Sequence, residues 1–153
     1  MATAIAQQLQ TGHIGLNVSD LGRSKKFYEE ALGFQVMGES QEEDRRYAFL
    51  GDGQKLVLTL WQQSKGLFQK SQPGLHHLSF QVETIEQVVA FQNKLHQLNV
   101  PIIYEGIVPH GEGAASGGIF FEDPDGIRLE IYSPTGVENT PAPVTDAPTC
   151  GFF

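Results

Sequence analysis

Apolar and polar residues alternate at Ile14, Leu16, Val18 and again at Leu78, Phe80, Val82, the period of two that marks a strand with one buried face. The opposite faces carry His13, Gly15, Asn17 in the first case and His77, Ser79, Gln81 in the second. In an open sheet such faces meet water; in a strongly bent sheet they line a concavity. Each strand leads into a helical period. Ser19 or Asp20 can cap a helix that ends near Leu32, where Gly33 suits a C-terminal stop. Thr84 and Gln87 have the spacing of a capping box before Ile85, Val88, Val89, Leu95 and Leu98, and Asn99 with Pro101 ends that helix.

The two stretches are copies. HIGLNVSDL at residues 13–21 is answered by HLSFQVETI at 77–85, a constant offset of 64 that also sets Phe27 against Phe91 and Ala31 against Leu95. Short strands follow each helix, predicted at 34–40, 45–50 and 54–61, then at about 102–108, 117–122 and 127–132. The final strand of each copy follows an Asp-Gly turn. Leu56, Leu58, Leu60 and Leu129, Ile131 form its core faces, leaving Lys55, Val57, Thr59, Trp61 and Arg128, Glu130, Tyr132 on the other side.

The order is therefore βαβββ twice, an α+β chain. It comprises an N-terminal extension over 1–9, module one over about 10–65 and module two over about 74–134. Residues 135–153 lack either period and read as a flexible C-terminal tail, although the apolar Cys150–Phe153 end can dock rather than fray.

Composition narrows the partners. A chain of 153 residues is long enough for its own core. It has a single cysteine, Cys150, so no disulfide forms within it, and a reducing cytoplasmic setting is the expectation. Ten Lys and Arg against 18 Asp and Glu give a formal net charge of −8, which disfavours nucleic acid. No apolar run has the length of a membrane span, so no membrane partner is expected.

By strand parity His13, His77 and Glu130 share the polar, cup-facing side. Two imidazoles and a carboxylate are the set that holds Fe(II) or another divalent ion with positions left open for substrate oxygens. A histidine at a strand start is more often a hydrogen-bonded rim residue; its repetition in both copies favours the ligand reading. His110, in the glycine-rich PHGEGAASGG, offers an acid or base near neutral pH, although a lone loop histidine more often faces solvent. His76, adjacent to His77, points to the other face of that strand as a rim or supporting group. Tyr104 and Tyr132 are further proton carriers, and Trp61, Thr59, Arg128 and Phe120 are candidates for contacting substrate, against the plainer reading of core aromatics and solvated strand ends.

The stretches HIGLNVSDLGRSKKFYEEALGF and HHLSFQVETIEQVVAFQNKL, closed by FFEDPDGIRLEIYSP, resemble the vicinal oxygen chelate superfamily over about residues 10–134. That superfamily includes glyoxalase I, type I extradiol dioxygenases, fosfomycin-resistance thiol transferases and bleomycin-binding proteins. The resemblance implies two βαβββ modules pairing into an incompletely closed, cup-like β-sheet barrel around a divalent metal, with His13, His77 and Glu130 as ligands. Glyoxalase I uses a fourth ligand where this chain has Val57, which demotes glyoxalase-type lyase activity. Dioxygenases and fosfomycin-type transferases use His, His and Glu, with Fe(II) and Mn(II) respectively. Bleomycin-binding proteins lack the metal set and bind a small molecule directly. The first expectation is an extradiol dioxygenase-like enzyme chelating adjacent oxygens of a small substrate, as a monomer or homodimer.

Overall fold

The computed structural model describes residues 8–153; most of the expected extension over 1–9 lies outside the described residues. The chain divides into two compact units, Met1–Lys65 and Gly66–Phe153. In the first, β1 (Ile14–Val18) leads to α1 (Leu21–Leu32), β2 (Gln35–Ser40), β3 (Tyr47–Gly51) and β4 (Leu56–Gln62). In the second, β5 (Leu78–Gln81) leads to α2 (Ile85–Gln97), β6 (Val108–Pro109), β7 (Gly117–Glu122) and β8 (Arg128–Ser133). Each unit is βαβββ, and the chain is α+β as expected. Each unit builds one four-stranded sheet, in the orders β1-β4-β3-β2 and β5-β8-β7-β6. The first strand pairs in parallel with the last, and the remaining pairs are antiparallel.

Helix ends follow the sequence signals. The Asp20 side chain accepts from the Arg23 N–H at 2.9 Å, and Gly33, at φ 78°, closes α1 with its N–H directed to the Glu29 and Tyr28 carbonyls. Thr84 and Gln87 form both halves of the capping box at α2. Helix α1 buries Leu21, Tyr28 and Ala31 against β3 and β4, where Leu50, Leu58 and Leu60 are fully enclosed. Helix α2 lays Val88 and Leu95 on β7 and β8, over Leu129 and Ile131. Each such Val, Leu or Ile side chain contributes about 1.5–3 kcal/mol by leaving water.

Two expectations need revision. The strand predicted at 102–108 reduces to Val108–Pro109 plus a single bridge from Ile102 to Phe121. Pro101 lacks an N–H for a ladder and Gly106 turns the chain at φ 79°, so the segment cannot stay extended. The 135–153 segment makes specific contacts. Val137 is buried, Thr149–Gly151 forms a 3₁₀ turn with Thr149 enclosed, and the end reaches back to the second sheet. Among the described residues no helix is long and apolar enough to cross a membrane.

Two adjacent glycines set the spacing of the second sheet. A Cβ on Gly118 would stand 2.6 Å from Tyr132 Cα and 2.7 Å from the Ile131 carbonyl carbon, on β8. A Cβ on Gly117 would stand 2.7 Å from Pro109 Cα, on β6. Only hydrogen fits at both places, so β7 holds β6 and β8 at close range. These flanking strands position the two groups described next.

Candidate metal centre

Glu130 lies in the middle of β8, opposite Ser79 of β5 and Phe120 of β7, and is 2% exposed. A carboxylate enclosed to this degree needs compensation. Its neighbours are imidazoles: His77 Nε2 is 3.6 Å from Oε2, and His110 Nε2 makes a short hydrogen bond to Oε1. The other ring nitrogen, Nδ1, lies 2.8 Å from the Ser116 hydroxyl, so in the tautomer with its hydrogen on Nε2 the ring donates to the carboxylate and accepts from Ser116. The His110 N–H also donates to the Ser116 carbonyl at 2.9 Å, extending the β6–β7 ladder by one residue.

His77 immediately precedes β5. Its Nδ1 faces His76 Nδ1 at 2.8 Å, so one of the two rings must donate and the other accept. When His77 donates, its Nε2 lone pair points toward Glu130, the tautomer a metal ligand requires. Burial pushes the His77 pKa below its usual value, the Glu130 charge partly opposes this, and His76, Arg128 and His110 add to the lowering. The ring is thus kept neutral, the form that coordinates. His76, read from sequence as a supporting group, is hydrogen-bonded to His77 and offers its carbonyl to Arg128 Nε at 2.9 Å.

A buried carboxylate flanked by imidazoles, one with its outer nitrogen anchored, fits a divalent cation of intermediate hardness. Among the described residues no three His, Cys, Asp or Glu side chains close a ligand set by themselves. His77 and Glu130 provide two donors in the second unit. His13, the third expected donor, is exposed and directly precedes β1 of the first unit.

Aromatic rings surround the cluster. Tyr132 stands edge-on to His110 with centroids 5.0 Å apart and donates from its hydroxyl to Gln81 Oε1 at 2.8 Å. Phe120 is fully buried, 5.6 Å from the Tyr104 ring. Burial, then the Cys150 thiol, raises the Tyr104 pKa, and the phenol donates to the Thr149 carbonyl at 2.8 Å. Arg128 is 5% exposed, so it is no solvated strand end. In the first unit Thr59 is buried and accepts from Trp61 Nε1 at 2.9 Å, and Trp61 packs with Tyr47 and Phe49 at centroid distances of 5.5 and 6.0 Å.

The structure thus brings His77, Glu130, His110, Tyr132, Tyr104, Phe120 and Arg128 together in the second unit, and Thr59 with Trp61 in the first. Two contributors escaped the sequence reading. Ser116, which fixes His110, has a signal only in its place beside the glycine pair. Phe153, which meets the His76, His77, Tyr104 and Phe120 rings, was hinted at by the apolar end of the tail.

Residues 10–131 match the Glyoxalase/Bleomycin resistance protein/Dioxygenase superfamily. The chain is 28% identical over 134 residues to a catechol-2,3-dioxygenase of Bacillus subtilis, covering 86% of this chain but 44% of that protein's length. It is 29% identical over 143 residues to a trivalent organoarsenical cleaving enzyme of a Bacillus species, covering 93% of this chain and 83% of the relative. A fosfomycin resistance protein from Listeria monocytogenes, solved with Mn(II) and sulfate, shares the fold at TM-score 0.61 and 20% identity, over 84% of this chain and 95% of that one. Divalent metal binding therefore occurs within this fold.

Proposed function

Because the chain belongs to the glyoxalase, bleomycin resistance protein and dioxygenase superfamily, we propose that it is a metal-dependent enzyme that chelates adjacent oxygens of a small substrate, in the manner of an extradiol dioxygenase. The observation that carries this reading is the enclosed Glu130 carboxylate, 2% exposed, with imidazole nitrogens of His77 and His110 as its partners. In the second unit, His77 and Glu130 would supply ligands to Fe(II) or Mn(II). When bound, the ion would acidify a coordinated hydroxyl and gather the reactants at one centre.

The chain's own groups have separate tasks. Glu130 brings an enclosed carboxylate to the site, and His77 stays neutral and oriented through His76. His110, held between Glu130 at Nε2 and the Ser116 hydroxyl at Nδ1, would accept a substrate proton at Nδ1 as its Nε2 hydrogen moves onto the Glu130 carboxylate. Tyr104, whose burial keeps it a phenol, is a hydrogen-bond donor rather than a base. Phe120 and Tyr132 pack their rings edge-on against His110.

The test is elemental analysis after anaerobic loading with Fe(II) or Mn(II), with a catechol ring-cleavage assay. About one ion per chain is expected, lost in His77→Ala and Glu130→Ala and kept in His110→Ala, which instead loses turnover. Unchanged metal affinity in Glu130→Ala would overturn the reading. A second reading, action on a trivalent organoarsenical, is favoured by a match that covers 93% of this chain and 83% of that relative, and the same preparations assayed with a trivalent phenylarsenical distinguish it. Gel filtration tests the homodimer.

A further inference from the structure

Arg128 is almost wholly enclosed, yet among the described residues no Asp or Glu side chain pairs with it. Its acceptors are main-chain oxygens: Nε donates to His76 and Nη1 to Phe153, each at 2.9 Å. The guanidinium carbon also lies 5.1 Å from the centroid of the Phe153 ring. That ring is 5.3 Å from Phe120, 5.8 Å from Tyr104 and 6.2 Å from His77. One residue thus presents a flat apolar ring and an oxygen acceptor to an aromatic slot and a buried cation, beside the carboxylate of the candidate centre.

The segment carrying Phe153 is attached by few bonds. Tyr104 donates to the Thr149 carbonyl and the Thr149 N–H to the His110 carbonyl, both at 2.8 Å. The Thr149 hydroxyl is buried without a hydrogen-bond partner, and Phe152 is 70% exposed. An orphaned hydroxyl is a net cost, so the segment occupies its seat with an energetic defect that departure relieves. Phe153 also lies outside the residues 10–131 that define the shared fold.

We propose that the slot formed by Arg128, Phe120, Tyr104 and His77 is a binding site for a small planar ligand bearing an anionic oxygen, and that Phe153 fills it as a displaceable internal stand-in. The ligand's oxygens take the place of the single Phe153 oxygen on Arg128, where a charge-assisted, two-pronged contact is stronger than one hydrogen bond. Its ring takes the place of the phenyl group. This names the substrate class for the proposed enzyme and rests on that reading for the chemistry beside the slot, but binding itself requires no metal.

The probe is benzoate, titrated by calorimetry into chelator-treated full chain, with benzyl alcohol as the uncharged counterpart. A ligand that must evict an internal occupant binds more weakly by the fraction of time the site is open. Phe153→Ala is therefore expected to tighten benzoate binding about tenfold, and Phe153→Leu, which keeps much of the bulk, by much less. Benzyl alcohol should gain less than benzoate. Unchanged or weaker benzoate binding in Phe153→Ala makes Phe153 a fixed wall and overturns the proposal, as does an equal gain for benzyl alcohol. Because metal content is measured separately, loss of the metal reading leaves this result standing, and the reverse also holds.

Discussion

Replacing Gly118 by alanine tests how closely the strands of the second sheet must approach. The added carbon would lie 2.6 Å from Tyr132 Cα, whereas carbon atoms rest at about 3.5–4.0 Å, an overlap of roughly 1 Å. The opposing atoms are backbone of β8, so no side-chain rotation relieves them. Strands separated by about 4.8 Å must part locally. Overpacking of this kind costs about 1–3 kcal/mol, and two weakened ladder hydrogen bonds add about 1 kcal/mol each. Alanine returns about 0.4–1 kcal/mol by restricting the unfolded chain, which leaves a net loss of about 2–4 kcal/mol. For a chain of this size that is a fall of about 5–15 °C in melting temperature. Gly111→Ala is the control, since a Cβ there meets nothing within 4 Å and its φ is not left-handed. Thermal melts, with hydrogen exchange followed in β7, β8 and β4, are the assay. Faster exchange should be confined to β7 and β8, and benzoate affinity should change with it. A Gly118→Ala protein melting within about 2 °C of the parent would refute the argument that the glycine pair sets the spacing.

Further outcomes follow from local features. Thr84→Ala removes the cap of α2 and should cost about 1 kcal/mol, read as a shift in urea midpoint, while Lys25→Ala at the exposed pair with Glu39 should cost well under that. Burial, then the Glu130 charge, raises the Cys150 pKa above that of a free thiol, so the thiol stays protonated at pH 8. Iodoacetamide should modify it more slowly than free cysteine there, with the rate climbing as pH passes the raised value; a rate at pH 8 equal to that of free cysteine contradicts this. Thr59→Val deprives the indole of Trp61 of its acceptor and should cost about 1 kcal/mol with a change in emission from the chain's single tryptophan, leaving exchange in β8 unaltered.

Much of this architecture is legible in residue order because its causes are local. Alternation marks β1 and β5, Asp20 with Gly33 and Thr84 with Gln87 mark the helix ends, and parity places Glu130 on a face separate from Leu129 and Ile131. The failures have a different origin. Residues 102–108 have suitable side chains, but Pro101 and the positive φ of Gly106 decide their backbone. His110 looks like a loop residue because what delivers it to Glu130 is the lateral order β6-β7-β8, a property of strand pairing that no short window contains. Phe153 is further still from any local pattern, since its partners come from four separate segments.

The parallel pairing of each unit's opening strand with its closing strand has a consequence for how such a module changes over time. Positions such as Ser79 and Glu130 become neighbours although some fifty residues of chain lie between them. The intervening helix and hairpin form an excursion that leaves from and returns to the same place. Insertions in that excursion can reshape the rim while the reactive positions keep their separation, so new specificities can arise without rebuilding the chemistry.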